Sequence, residues 1–189
     1  MPNRQPPRTP MTPRYPQGVT VSYPPPRYHG QDGEISAAYR PASAPPDFVS
    51  RPVATDGPSV AQGTAYHYLS TTVSTGGEYG LYRVDMGPES AGPSTHFHKA
   101  MSESFFILSG TMRLFDGRRW IDATSGDYLY VPVGGLHAFR NESGEPASML
   151  MLFAPGAPRE DYFEGVTELG GLSQEEREEF FRRHDSFFV

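Results

Sequence analysis

The 189-residue chain is long enough for one domain with or without a tail, and the absence of cysteine excludes a disulfide framework and a thiolate metal site. The formal net charge of −6 at pH 7 argues against nucleic-acid binding. No apolar run approaches the ~20 residues of a membrane span, and the first residues lack the apolar core of a signal peptide. We therefore expect a cytoplasmic protein that binds neither nucleic acid nor membrane.

Residues 1–46 have the composition of a tail. Most of the 20 prolines lie before Val60, and the Pro-Pro pairs among them favour extended backbone. Few apolar residues accompany these prolines, so burial cannot offset the entropy lost on ordering the segment. We predict a disordered or loosely draped Pro-rich tail. The alternative is a docking arm at residues 19–23 that crosses to a partner subunit.

Residues 47–156 are predicted to form short β-strands. The segments are rich in aromatic and β-branched residues and are separated by turn signals, among them an Asp116-Gly117 hairpin pair. The predicted strands cover residues 64–73, 79–86, 104–115 (two strands), 118–121, 127–131 and 147–153. Short strands at this spacing favour an all-β sandwich or barrel.

Residues 157–189 are predicted to form a short helical extension. Ser173 and Glu176 have the spacing of a capping box, which marks the start of a helix. Several phenylalanines in this segment need cover from solvent, and burying each one is worth roughly 1.5–3 kcal/mol. They are Phe180, Phe181, Phe187 and Phe188. We expect the extension to pack on the barrel or on a partner subunit.

The histidines between Gly92 and Asn141 are candidate metal ligands. His96 and His98 are two residues apart on a predicted strand, so their side chains share a face. A short bend lets Glu103 return to the same point, and His137 comes from a different strand. Three imidazoles and one carboxylate suit Zn, Fe, Ni, Cu or Mn without choosing among them. Unrelated core or surface histidines are the alternative, but ordered ligands with turn residues at fixed offsets favour a metal site.

This stretch resembles the two conserved motifs of the cupin superfamily. The second motif matches at every position, which here are Gly126, Pro132, Gly134, His137 and Asn141. The first motif matches at His96, His98, Glu103 and Gly110, and departs at its leading glycine, where this chain has Ser90. The resemblance implies an all-β fold, a small antiparallel jelly-roll β-barrel, with one divalent transition metal ion (Ni, Mn, Fe, Cu or Zn) inside.

Within the superfamily, residues 48–165 look most like the single-domain quercetin-2,3-dioxygenase-like cupins. The supporting segments are Thr75–Gly77, Phe105–Gly110 and Gly134–Asn141. The resemblance implies that the metal ligands are His96, His98, Glu103 and His137. It also implies that Glu103 is the acid/base group that takes the substrate's hydroxyl proton. A small aromatic substrate and O2 are then the expected partners, and the chain is expected to be a homodimer.

Strand parity predicts which side chains line the cavity beside the metal. If Glu103 and His137 point inward, every second residue from each also points inward. The predicted substrate-binding residues are Phe105, Ile107, Tyr128, Tyr130, Phe139, Met149, Met151 and Phe153. Such a pocket suits a flat, hydrophobic, oxygenated substrate. The alternative is that these side chains only fill the barrel.

Three functions remain open from the sequence. The first is a metal-dependent dioxygenase of a flavonol-like or polyketide phenol. The second is a non-redox isomerase or cyclase of natural-product metabolism that uses the same site. The third is a non-catalytic cupin that binds a small ligand, which the presence of all four ligand types disfavours.

Overall fold

The computed structural model describes residues 38–50 and 63–189, and Arg40–Val189 forms one unit. Most of the predicted tail, including the docking arm at residues 19–23, lies outside the described residues. At the end of the predicted tail, Arg40 donates to the carboxylate of Asp47 at 2.6 Å. That carboxylate also accepts the backbone N–H of Tyr68 at 2.9 Å, so residues 40–47 are attached to the sheet.

Strands dominate the described residues. In chain order they are β1 (Phe48–Ser50), β2 (Thr64–Ser70), β3 (Gly80–Met86), β4 (His96–Phe97), β5 (Ser102–Ser109), β6 (Thr111–Phe115), β7 (Trp120–Thr124), β8 (Tyr128–Val131), β9 (Ala138–Arg140), β10 (Ala147–Ala154) and β11 (Phe187–Phe188). Between β10 and β11 lie helix α1 (Arg159–Gly165), a 3-10 helix (Val166–Gly171) and helix α2 (Gln174–Arg183). In the part of the chain that the structure describes, no helix is long and apolar enough to cross a membrane.

The strands form antiparallel sheets. The largest has the spatial order β1-β2-β3-β10-β5-β8, a second has the order β7-β6-β9, and a third pairs β11 with β4. Each named pairing is antiparallel. The predicted fold class, a mostly β antiparallel barrel with a short C-terminal helix, is confirmed.

The core follows from the two-residue period of the strands. On β3, Tyr82 and Val84 are fully buried, and the residues that alternate with them, Leu81, Arg83 and Asp85, are half-buried. β10 has the same alternation, with Met149, Met151 and Phe153 buried. The antiparallel register pairs Met149 with Val84 and Met151 with Tyr82, so the buried side chains of both strands lie on one face of the sheet.

The C-terminal extension packs on the barrel. The capping box is present, since Ser173 Oγ accepts the N–H of Glu176 at 3.3 Å and the Glu176 carboxylate accepts the N–H of Ser173 at 2.8 Å. After α2 the chain turns, and β11 pairs Phe187 with Phe97 and Phe188 with His96. This pairing places the extension beside the strand that carries the candidate metal ligands.

Candidate metal centre

Two adjacent strands hold the histidines. His96 and His137 exchange backbone hydrogen bonds of 3.0 and 2.9 Å, so the segment with His137, just before β9, runs beside β4, which begins at His96 and ends just before His98. Phe97 points away from the cluster and stacks on Phe187, with ring centroids 5.3 Å apart. The two-residue spacing therefore places His96 and His98 on one face, as the sequence predicts.

Glu103 completes the cluster from the start of β5. Its Oε2 lies 3.2 Å from His98 Nε2 and 2.7 Å from His137 Nε2. One ligand atom from each of His96, His98, Glu103 and His137 lies within 4.8 Å of the others, and all four side chains are buried. The structure thus brings together the four residues that the sequence predicts as a set.

The other ring nitrogen of each imidazole faces a backbone carbonyl. His96 Nδ1 lies 2.9 Å from Ser94 O, and His137 Nδ1 lies 3.0 Å from Gly135 O. His98 Nδ1 contacts Asp185 O, which belongs to the turn after α2. Because a carbonyl only accepts, each Nδ1 carries a hydrogen, and each Nε2 faces the cluster, where it offers a lone pair when the ring is neutral and an N–H when the ring is protonated.

This donor set fits a metal ion. Three Nε2 atoms and a carboxylate meet in a buried space, and in the neutral rings the lone pairs converge where a cation can accept them. Metal-bound histidines in general donate the second ring N–H to a carbonyl or carboxylate, as all three histidines do here. The set is the type that Zn, Fe, Ni, Cu and Mn accept.

The protonation states also suit a metal. Burial favours the neutral form of Glu103, but hydrogen bonds from His137 and His98 hold the pKa of its carboxyl well below its usual range. Burial, together with the neighbouring His137, lowers the pKa of His96 to about 4. Burial opposes the charged form of His137, whereas the Glu103 carboxylate raises its pKa above the ordinary value. Glu103 is therefore anionic and His96 neutral at pH 7, which are the forms that bind metal.

The cluster borders a cavity of about 240 Å³. His96 and Glu103 form part of its wall, and the predicted lining residues Phe139, Met151 and Phe153 lie on it as well. Phe105, Ile107 and Met149 are fully buried in the hydrophobic core and are not on the wall.

The prediction that Tyr128 and Tyr130 point inward is wrong. They are 61% and 55% exposed, because β8 pairs Leu129 with Phe105 and Val131 with Glu103. Residues paired across antiparallel strands share a face, so Leu129 and Val131 take the inward positions.

Most residues of the cavity wall were not predicted from the sequence. The additional lining residues come from β2, from the loop before β4 and from the C-terminal extension. They include Tyr66, Gly92, Arg159, Tyr162, Phe163 and Phe188. The parity of β2 was a usable signal for Tyr66, whereas no local pattern marks the residues of the extension.

The turn before β4 explains why the motif tolerates Ser90. The Ser90 carbonyl accepts the N–H of Asn141 at 3.0 Å, an interaction that any residue type can make. The close approach occurs two residues later, because a Cβ on Gly92 would lie 1.9 Å from the carbonyl oxygen of Phe139. Asn141 fixes the other side of the turn by donating to Gly87 O at 2.9 Å and to Glu145 O at 2.8 Å.

Comparisons with known proteins agree with this fold. Residues 82–153 match the cupin domain family. The quercetin 2,3-dioxygenase of Bacillus subtilis (strain 168) is 30% identical over 70 residues, which are 37% of this chain and 20% of that protein. The aligned segment therefore spans one fifth of the length of this curated relative.

Two of the similar solved structures each match about half of this chain. One is described as a predicted oxalate decarboxylase from Thermotoga maritima, with 18% identity, coverage of 49% of this chain and 81% of that chain, and a TM-score of 0.46. The other is the polyketide cyclase RemF from Streptomyces resistomycificus, with 22% identity, coverage of 50% and 67%, and a TM-score of 0.45. The family match, the two motifs and the antiparallel strands together identify residues 82–153 of this chain as a cupin domain.

Proposed function

We propose that the protein is a metal-dependent dioxygenase that acts on a phenolic substrate of the flavonol class or smaller. The observation that carries the proposal is the buried cluster of three histidines and Glu103, which borders an aromatic-walled cavity. The partial similarity to quercetin 2,3-dioxygenase supports the choice of reaction. The cavity volume of about 240 Å³ lies below the ~300–1,000 Å³ of typical ligand pockets, which favours a small phenol.

The four cluster residues, His96, His98, Glu103 and His137, would hold one divalent transition metal ion. A bound ion of this kind supplies positive charge for a substrate oxygen and, where it is redox-active, a centre for electron transfer to O2. The three backbone carbonyls that face the Nδ1 atoms keep the imidazoles oriented before any ligand binds.

Glu103 is the base in this proposal. Its carboxylate lies on the cavity wall, where it can accept the proton of a substrate hydroxyl. Hydrogen bonds from the histidines hold the pKa of the Glu103 carboxyl below its usual range, so Glu103 faces the cavity as the anion, which is the form that can accept a proton. The rings of Phe153 and Phe163 border the same cavity, so they pack on a flat substrate and exclude water from the proton transfer.

A non-redox isomerase or cyclase is the second candidate. The observation that favours it is that Glu103 is a base on the cavity wall, and a base moves a proton between substrate atoms without oxygen. Oxygen consumption separates the two candidates, because only the dioxygenase takes up O2 with its substrate.

The test measures O2 uptake by protein loaded separately with Ni, Mn, Fe or Cu, with flavonols and smaller phenols. We expect turnover in the wild type and a loss of at least ~10²-fold in Glu103→Gln, because an amide cannot accept the proton. Metal content is measured in both. Glu142→Gln is the matched control, since Glu142 lies in surface ion pairs with Arg113 and Arg140.

Two outcomes would contradict parts of the proposal. If no metal form consumes O2 with any phenol, the dioxygenase assignment fails. If metal-loaded Glu103→Gln turns over as fast as the wild type, the dioxygenase remains but the proton role of Glu103 is wrong.

A further inference from the structure

Arg159 is a buried cation without an anionic partner. It begins helix α1, and only 3% of its surface is exposed. Its Nη1 donates to the carbonyl of His184 at 2.7 Å and to Ser186 Oγ at 3.4 Å, whereas its Nε has no hydrogen-bond partner among the described residues. Within residues 38–50 and 63–189, no carboxylate forms an ion pair with this guanidinium.

Burial makes this arrangement costly. The pKa of Arg159 is lowered by burial, yet a guanidinium keeps its proton in proteins, so the side chain stays charged. The guanidinium carbon, Cζ of Arg159, lies 3.9 Å from the ring centroid of Tyr162 and 4.9 Å from that of Phe153. Such cation–π contacts offset part of the desolvation but supply no negative charge.

The position of Arg159 indicates where a negative charge for its guanidinium could come from. Arg159 lines the same cavity as His96 and Glu103, and it is the single Lys or Arg among the residues of that wall. Glu103 acts on Arg159 only at a distance and forms no ion pair with it, because the Glu103 carboxylate contacts His98 and His137. The charge of Arg159 is therefore left for a ligand that enters the cavity.

We propose that Arg159 is the anion-binding residue of this cavity and that the substrate is a small aromatic acid whose carboxylate pairs with the guanidinium. This inference rests on the proposed function, since it takes the cavity as the substrate site. A planar guanidinium matches a carboxylate with two parallel hydrogen bonds, and the Nε of Arg159 is a buried donor that no group of the described residues uses. The aromatic wall accepts the ring, and the phenolic oxygen lies toward Glu103.

A purely structural role accounts for only part of these contacts. The bond from Nη1 to His184 O ties α1 to the end of α2. That tie uses one donor and explains neither the unpartnered Nε nor the position of the guanidinium on the cavity wall. A test must therefore separate loss of anion binding from loss of stability.

The experiment compares 4-hydroxybenzoate with 4-hydroxybenzamide by calorimetry on the full-length chain, metal-stripped and metal-loaded. The two probes have nearly the same shape and differ in charge. We expect the wild type to bind the acid at least ~10-fold more tightly than the amide, because hydrogen bonds between ions are the stronger kind. Arg159→Gln should reduce this ratio to about one, and Arg159→Lys should keep part of it.

Arg113→Gln is the matched control, since Arg113 forms surface ion pairs with Asp122 and Glu142. It should leave the ratio unchanged. Circular dichroism and melting temperature establish that each variant is folded, and the acid-to-amide ratio is insensitive to a partial loss of folded protein.

If Arg159→Gln does not fold, a crystal structure of the wild type with 4-hydroxybenzoate replaces the measurement on that variant. A carboxylate bound to Arg159 supports the proposal, and any other location overturns it.

The proposal is overturned if the wild type binds the acid no better than the amide, or if folded Arg159→Gln keeps the preference. Inorganic phosphate that binds more tightly than the acid and depends on Arg159 overturns the carboxylate assignment. Acid binding through Arg159 without O2 consumption keeps this inference and removes the dioxygenase. If the protein consumes O2 with neutral phenols but shows no preference for the acid, the dioxygenase stands and the role of Arg159 in anion binding is wrong.

Discussion

Asp185 connects the C-terminal extension to the candidate metal centre, and Asp185→Ala tests that connection. The Asp185 carboxylate accepts the N–H groups of Lys99 at 2.9 Å and Ala100 at 2.8 Å, in the bend between His98 and Glu103. Its own carbonyl accepts from His98 Nδ1. The residue has a φ of 52°, in the left-handed region that Asp and Asn tolerate better than Ala.

The magnitudes follow from these contacts. Two lost hydrogen bonds at an exposed site lower the free energy of unfolding by about 1–3 kcal/mol. Because the side-chain bonds hold the turn whose carbonyl orients His98, we expect their loss to lower metal affinity about 10- to 100-fold, the usual effect of disturbing a group that orients a ligand. Both quantities change in the same variant, although Asp185 is not itself a predicted ligand.

Urea denaturation of the metal-free protein measures the stability change, and competition with a chelator measures metal affinity. Asp185→Asn should lie between the wild type and Asp185→Ala, because Asn keeps one acceptor and tolerates the left-handed φ. Asp122→Ala, at the surface pair with Arg113, should leave metal affinity unchanged. If Asp185→Ala loses stability but binds metal with wild-type affinity, the reasoning about His98 is refuted.

Three further predictions concern the site and its surroundings. His137→Ala should lose most of its metal in elemental analysis, because the ring brings a ligand atom from a separate strand, and full occupancy would contradict the assignment. Gly92→Ala should lower the free energy of unfolding by about 1–3 kcal/mol or more in urea, because the new Cβ meets the carbonyl of Phe139 at 1.9 Å; an unchanged midpoint would show that the turn relaxes. Ser90→Ala should raise the free energy of unfolding by about 1 kcal/mol, because it removes a buried Oγ without a partner; a loss in the same experiment would mean that the hydroxyl is satisfied.

What the sequence predicts well here is local. The two-residue spacing of His96 and His98 defines a shared face, and the capping box at Ser173 marks the start of α2. The inward face of β8 was predicted wrongly because the two-residue period of one strand leaves both faces possible, and the cross-strand pairing, such as Leu129 with Phe105, decides between them.

Contacts between residues far apart in the chain were not predictable. Arg159 donates to a carbonyl 25 residues away, and His98 contacts one that is 87 residues away. No periodicity or motif links such positions, because their proximity depends on how the extension turns back onto the barrel. The cavity wall and the orientation of one ligand therefore became visible only in the folded chain.

The bond from His98 to the Asp185 carbonyl has a consequence for how the protein acquires metal in the cell. A ribosome that has passed residue 137 has made all four cluster residues but not the carbonyl that orients one of them. At ~5–20 residues per second the stretch up to Asp185 takes on the order of seconds, and until it has folded back the His98 ring lacks the carbonyl that orients it. A metal ion would therefore meet an oriented His98 ring only after the extension has been made and has folded back onto β4.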